Sequence, residues 1–240
     1  MKVLNFKDIR FFEIKPENYI GNFDGILGNV YNDTIDSKNI GIRIAKKLNE
    51  HHFTFDDFDH LYVFLNPKIS ENKIVETEIY DLGWNKDIFY GLDKVKFNNL
   101  NETQRNLKLE EIAFEILSNL VANDIAELNI INLVQTEILV NQTNTEILLK
   151  EKVFKNISIN LSFKINPNGK KSVMIIRGSN NGDIMCTKII ELFHHEDVYH
   201  IVDKIKYDGN KIIIDSKKNI KSEVVTGKYE SPIIVDCNCL

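Results

Sequence analysis

The residues "NISINLSFKI" constrain the fold of this chain more than any other stretch. Ile157, Ile159, Leu161, Phe163 and Ile165 alternate without a break with Ser158, Asn160, Ser162 and Lys164. A period of two gives one apolar and one polar face, the pattern of a half-buried antiparallel strand. Turn signals follow at short intervals. "NPNG" (166–169) leads into "KSVMIIRG", "SNNGD" into "IMCTKIIELF", and "DGN" (208–210) joins "VYHIVDKIKY" to "KIIIDS". Such Gly-containing pairs between apolar runs mark hairpins. From Val153 onward the chain therefore reads as an antiparallel meander, with 198–207 as one of its strands.

Upstream, the clearest element is a helix. In "NETQRNLKLEEIAFEILSNLVAND", Asn101 can cap and Gln104 can complete a capping box. Leu109, Ile112, Ala113, Ile116, Leu117 and Leu120 then line one face. Residues 126–143 suit a second helix, but their β-branched side chains suit a strand as well. Residues 37–50 are similar: Ile40, Ile44 and Leu48 have helical spacing, while Ile40, Ile42 and Ile44 alternate. Ser37 as a cap and the Lys46–Lys47 pair favour a short helix. "IRFFEI" (9–14) reads as a strand ending before Pro16, and the glycines at 21, 25 and 28 as a loop or bulged hairpin. "FDHLYVFLNP" (58–67) is a strand closed by Asn66-Pro67. No strand–helix–strand repeat is evident. The expected class is α+β, an antiparallel C-terminal meander with one or two helices packed on one face. Residues 1–240 read as one domain, with a weak boundary near 98–101 between a β-rich N-terminal lobe and the helix-plus-meander part.

The chain has 43% hydrophobic residues, enough for a substantial core, and 27% charged residues of both signs. A net charge of −5 disfavours a broad sequence-independent nucleic-acid surface. No stretch resembles a secretory signal or a membrane span. Three cysteines (Cys186, Cys237 and Cys239) argue against a disulfide framework and suit a reducing cytoplasm.

The six histidines fall in "HHFTFDDFDH" (51–60) and "FHHEDVYH" (193–200). Two such loops meeting at one end of a sheet would bring His60, His194, His195 and His200 together as metal ligands. They lack the spacing that places two imidazoles on one helix face, so polar loop residues with one strand histidine are the competing reading. P-loop, nucleophile-elbow, dinucleotide and His-Glu-x-x-His signatures are missing, and no cofactor is expected.

One hairpin suggests chemistry. With 208–210 as a three-residue loop, Tyr207 pairs with Lys211 and Asp203 faces Asp215, while Lys217 points the same way. Two facing carboxylates can hold Mg²⁺ and a lysine can orient water. The segment resembles the PD-(D/E)xK nucleases, which implies Asp203 and Asp215 as metal ligands and Lys217 as catalytic. A one-residue shift in register would separate the acids onto opposite faces. More broadly, "FDHLYVFLNP" leading through Trp84 to the helix after Asn101, within a mildly acidic α+β chain, resembles bacterial toxin-immunity proteins. That resemblance implies a non-enzymatic cytoplasmic protein that covers a toxin's active site. On this reading Asp56, Asp57, Asp59, Trp84, Glu196 and Asp197 would meet a basic protein partner. The metal-dependent hydrolase is the alternative.

Overall fold

The computed structural model describes residues 4–14, 36–55, 57–77, 84–167 and 169–237. Asp56, Asn168, Cys239 and the glycine-bearing segment 21–28 lie outside them. The fold is α+β, and the chain divides into two compact units, Met1–Gln142 and Thr143–Leu240. Residues 98–101 lie inside the first.

The first unit contains β1 (Leu4–Asn5), β2 (Asp8–Glu13), α1 (Ser37–Glu50), β3 (Thr54–Phe55), β4 (His60–Asn66), β5 (Ile74–Thr77), β6 (Asn85–Gly91), α2 (Lys94–Asn98), α3 (Glu102–Leu120) and α4 (Ile125–Asn141). Its main sheet has the order β2-β4-β6-β5. β2, β4 and β6 run parallel, and β5 is antiparallel to β6. The absence of a strand–helix–strand repeat expected from sequence is corrected here, because β2, α1 and β4 form one. Parallel partners need a long crossover, so their pairing leaves no local turn signature. Ile9, Phe11, Leu61, Val63, Leu65, Ile88 and Tyr90 belong to one core with Ile40, Ile44 and Leu48 of α1, Leu109, Ile112 and Ile116 of α3, and Ile131, Val134 and Ile138 of α4.

The helix reading of 37–50 holds, and 126–143 resolves as helix. α3 starts as expected: the Asn101 side chain accepts from the Gln104 N–H, and the Gln104 side chain accepts from the Asn101 N–H. α1 is enclosed on several sides. Gly41 is where it touches β2, and a methyl group there would overlap the Ile9 carbonyl oxygen. Backbone cannot yield as a side-chain tip does, so Gly41→Ala is expected to destabilise the first unit by about 1–3 kcal/mol or more. A urea melt of the whole chain that left the unit's midpoint unmoved would contradict this contact.

The second unit contains β7 (Ile147–Phe154), β8 (Ile157–Lys164), β9 (Ser172–Asn180), β10 (Asp183–Leu192), α5 (Val198–Ile201), β11 (Lys204–Tyr207), β12 (Lys211–Asp215), α6 (Ile220–Thr226) and β13 (Ile233–Asp236). β7 to β10 form the antiparallel meander, and β11, β12 and β13 a second antiparallel sheet. All five apolar residues of the alternating stretch are buried. Asn181 and Gly182 both have positive φ in the β9–β10 turn, the backbone that favours Asn-Gly in two-residue hairpins. Ser162 and Arg177 converge on Glu146 from neighbouring strands. The bidentate Arg177 contact, at 2.5 and 2.8 Å, holds the Glu146 carboxyl down to about 2.

Side chains join the two sheets at both seams. Lys150 and Lys152 of β7 donate to the carbonyls of Asp203 and Ile205 along β11 (2.6 and 2.8 Å). On the other side Lys188 of β10 donates to the Ile234 carbonyl of β13 (2.9 Å), and Cys186 is disulfide-bonded to Cys237 with Cα atoms 5.1 Å apart. Ammonium groups thus occupy carbonyls on two edge strands that a further strand would use. The expectation of thiols is corrected for this pair, which is 51 residues apart in sequence and adjacent only once β10 and β13 meet.

A second correction concerns 198–207, which is a helical turn followed by a strand. The reason lies in "HHED". The His194 side chain accepts from the Glu196 N–H, and the Asp197 carboxylate accepts from the His194 N–H. This reciprocal cap starts a helical turn that runs into α5.

Candidate functional site

The parallel register of the first unit aligns three rows of side chains on the sheet face opposite the helix-packed core. Asp8, His60 and Asn85 form the first row, Arg10, Tyr62 and Asp87 the second, and Phe12, Phe64 and Phe89 the third. The third row is a continuous aromatic band, with Phe12 stacked on Phe64 at 5.1 Å and Phe64 against Phe89 at 5.4 Å.

The first two rows form a bonded polar network. Arg10 Nε donates to Asp8 Oδ2 (2.8 Å), and Arg10 Nη1 donates to the Tyr62 hydroxyl (3.3 Å). Asn85 Nδ2 donates to Asp87 Oδ1 (2.5 Å). Asp59, just before β4, is ion-paired with Lys7 and lies 2.5 Å from His60 Nδ1. Burial drives the Asp8 carboxyl above its ordinary value despite Arg10, and its Oδ1 is buried with no hydrogen-bond partner. Burial also pushes Asp59 up, but Lys7 and His60 outweigh it and hold this carboxyl below the usual range.

Trp84 rises out of this network. Its carbonyl accepts from the Asp59 N–H (3.0 Å) and the His60 N–H (3.3 Å), tying it to the start of β4. Its ring meets His60 edge-on at 5.0 Å and Tyr62 at 5.8 Å. It nevertheless stays 40% exposed. A tryptophan fixed on two aromatic neighbours and open to solvent loses little entropy on binding a partner. The structure thus brings together Asp59 and Trp84, 25 positions apart, with exposed Asp57 two residues before Asp59. Asp8, Arg10, Tyr62, Asn85 and Asp87 were not singled out from sequence. Their signal was a repeat of polar-x-polar-x-Phe at 8–12, 60–64 and 85–89.

The remaining candidates lie in the second unit. Asp197 is buried, accepts from the Tyr229 hydroxyl (2.5 Å) and caps the turn before α5, so it builds structure, while Glu196 is exposed. The His194 and His195 rings lie tilted against each other with centroids 4.4 Å apart, and His200 Nδ1 lies 2.9 Å from the Ser222 hydroxyl. His60 belongs to the first unit. Among the described residues no group of three or more His, Cys, Asp or Glu side chains is placed to hold a metal ion.

The hairpin register differs from the expected one. Tyr207 pairs with Ile212 and Lys204 with Asp215. Asp208 is the cause: its Oδ1 accepts from the N–H groups of Asn210 (2.9 Å) and Lys211 (2.7 Å), which takes Lys211 into the turn and lengthens the loop by one residue. Asp215 therefore faces Lys204, and its carboxylate is bridged by Lys206 at 2.6 Å. Asp203, Asp215 and Lys217 still line one depression of about 580 Å³, together with Lys204, Lys206 and Lys218.

The molecule is an α+β protein of two units, with a polar and aromatic network on the first unit's sheet and a lysine-lined depression in the second. No family model, curated protein or solved structure matches the chain. Among the described residues no helix is long and apolar enough to cross a membrane.

Proposed function

We propose that the chain is a non-enzymatic protein-binding protein, and most concretely an immunity protein that neutralises a basic toxin domain in the cytoplasm. The observation that carries this reading is Trp84, exposed at the rim of the aspartate-rich strand ends. Charge supports it. Met1–Gln142 holds 23 Asp and Glu against 15 Lys and Arg, whereas Thr143–Leu240 holds 12 against 15. A negative first unit steers a basic partner towards it, and a fixed central aromatic supplies the short-range anchor. Cytoplasmic placement belongs to this reading, with the Cys186–Cys237 pair reduced wherever thiol buffers exceed its stability.

Trp84→Ala is expected to weaken a one-to-one complex by about 30-fold or more, the usual loss at a hot spot of 2 kcal/mol. Surface plasmon resonance against the product of a neighbouring toxin-like gene measures it. Added salt should slow association more than dissociation. The reading fails if no adjacent gene product binds stoichiometrically, or if Trp84→Ala binds as tightly as the parent chain. A Mg²⁺-dependent hydrolase at Asp203 and Asp215 has less support, because Lys206 occupies the Asp215 carboxylate and the residue opposite Asp215 is Lys204.

A further inference from the structure

The depression at Asp203–Asn219 has a charge balance suited to a ligand of the opposite sign to a metal. Lys204, Lys206, Lys217 and Lys218 line it against Asp203 and Asp215, with Ser216 and Asn219 completing the wall. Among the described residues Lys206 alone of these lysines is ion-paired, with Asp215. Among the described residues the ammonium groups of Lys204, Lys217 and Lys218 have no carboxylate partner. We propose that this depression binds a small molecule carrying two or more linked phosphates, held by Lys204, Lys217 and Lys218.

Three further observations support the assignment. The loop presenting Lys217 and Lys218 is anchored at several points. The Lys217 N–H donates to the His200 carbonyl (3.0 Å) and the Asp203 N–H to the Asp215 carbonyl (2.8 Å). The Ser216 and Ser231 hydroxyls lie 2.9 Å apart, and the Asn219 side chain caps α6 at Ser222 (2.9 Å). Three like charges on a fixed wall repel one another, and a polyanion relieves that repulsion while making charge-assisted hydrogen bonds. Size is the second observation. A volume of about 580 Å³ falls within the usual range for small-molecule sites and exceeds the needs of a single orthophosphate. The third is confinement. The adjoining lysines of β7, Lys150 and Lys152, are committed to the Asp203 and Ile205 carbonyls. Those two ammonium groups keep their charge and add to the local positive potential, but the β11 backbone fixes their positions, so the lysines left to close on a ligand are those of the depression.

Calorimetric titration of the full chain with orthophosphate, pyrophosphate and ADP, at low salt and at physiological salt, tests the proposal. Pyrophosphate should bind at one site per chain and tighter than orthophosphate. Replacing Lys204, Lys217 and Lys218 together by glutamine should weaken pyrophosphate binding at least 10-fold. Lys211→Gln, on the same hairpin but paired with Asp236 at 3.0 Å, should leave it unchanged. ADP binding tighter than pyrophosphate would identify a nucleoside polyphosphate, and equal binding a simple polyphosphate. Exposed lysines tolerate glutamine, and single Lys217→Gln, with a smaller loss, guards against misfolding of the triple variant. The proposal is overturned by the lack of saturable pyrophosphate binding, by a triple variant that binds as the parent does, or by a 12-nucleotide single strand binding tighter than pyrophosphate through the same lysines.

Discussion

Replacing Arg43 by methionine is expected to cost the first unit about 3–5 kcal/mol at pH 8, and distinctly less at pH 5.5. Arg43 of α1 and Glu110 of α3 meet at 3.0 Å, at 2% and 4% exposure. Burial pushes the Glu110 carboxyl up to about 7 even with Arg43 beside it, and its Oε2 has no hydrogen-bond partner. Burial likewise lowers Arg43 from its ordinary value. Both shifts mark a pair whose desolvation is incompletely offset. Without Arg43 the carboxyl can stay buried only as the neutral acid. Below pH 6 it takes a proton readily; at pH 8 the proton must be bound against the bulk pH, so the loss grows with pH. In the parent chain the sign is the same. Glu110 ionises near its ordinary value when unfolded and near 7 when folded, so its contribution to stability falls as pH rises across that interval and is flat above it. Glu110→Gln should remove that slope. Arg43→Met combined with Glu110→Leu should recover most of the loss, because an apolar pair leaves no charge to desolvate. Urea melts at the two pH values decide the matter. A loss below 1 kcal/mol at pH 8, or one independent of pH, would show that the pair is not electrostatically coupled.

The same pair explains part of what could be read in advance. α3 was legible to its cap because Asn101 and Gln104 are local partners and the apolar face is one-sided. α1 was ambiguous because Ile42 is buried on the side that carries Lys38, Asn39 and Lys46, which lays an alternating Ile40-Ile42-Ile44 run over the helical spacing of Ile40, Ile44 and Leu48. α4 is ambiguous for the opposite reason: Ile125, Leu133 and Val140 are exposed while Ile131, Val134 and Ile138 are buried, and composition does not separate the two sets. The meander was legible because its turns join neighbouring strands. The parallel sheet was not, since nothing local states that positions 8, 60 and 85 are adjacent. That is why Asp59 and Trp84 could be named one by one while the network around them stayed hidden. The β11–β12 hairpin shows the limit of turn counting. A single aspartate side chain moved the register by one residue, and with it Asp215 from a facing carboxylate to a facing lysine.

Removing the Cys186–Cys237 bond should destabilise the second unit by about 2–4 kcal/mol. For a unit of this size each kcal/mol corresponds to roughly 4–8 °C in Tm. The bond closes a long loop and pins β13, an edge strand otherwise held by β12, to β10. Reduction, or serine at both positions, should therefore speed amide exchange in β13 and leave the central strand β8 protected. Gly178 supplies the space beneath the bond. A methyl there would lie 2.8 Å from Cys186 Sγ and 3.0 Å from Ile212 Cδ1. With the bond formed the sulfur cannot turn away, whereas a free Cys186 thiol can rotate. Gly178→Ala should thus cost more in the oxidised protein than in the reduced one, a coupling that a double-mutant cycle reads directly. Equal costs in both states would mean that Ile212, and not the sulfur, sets the clash. An unchanged Tm on reduction would mean that Lys188 and the apolar contacts already hold the seam, and that the two sheets need no covalent link.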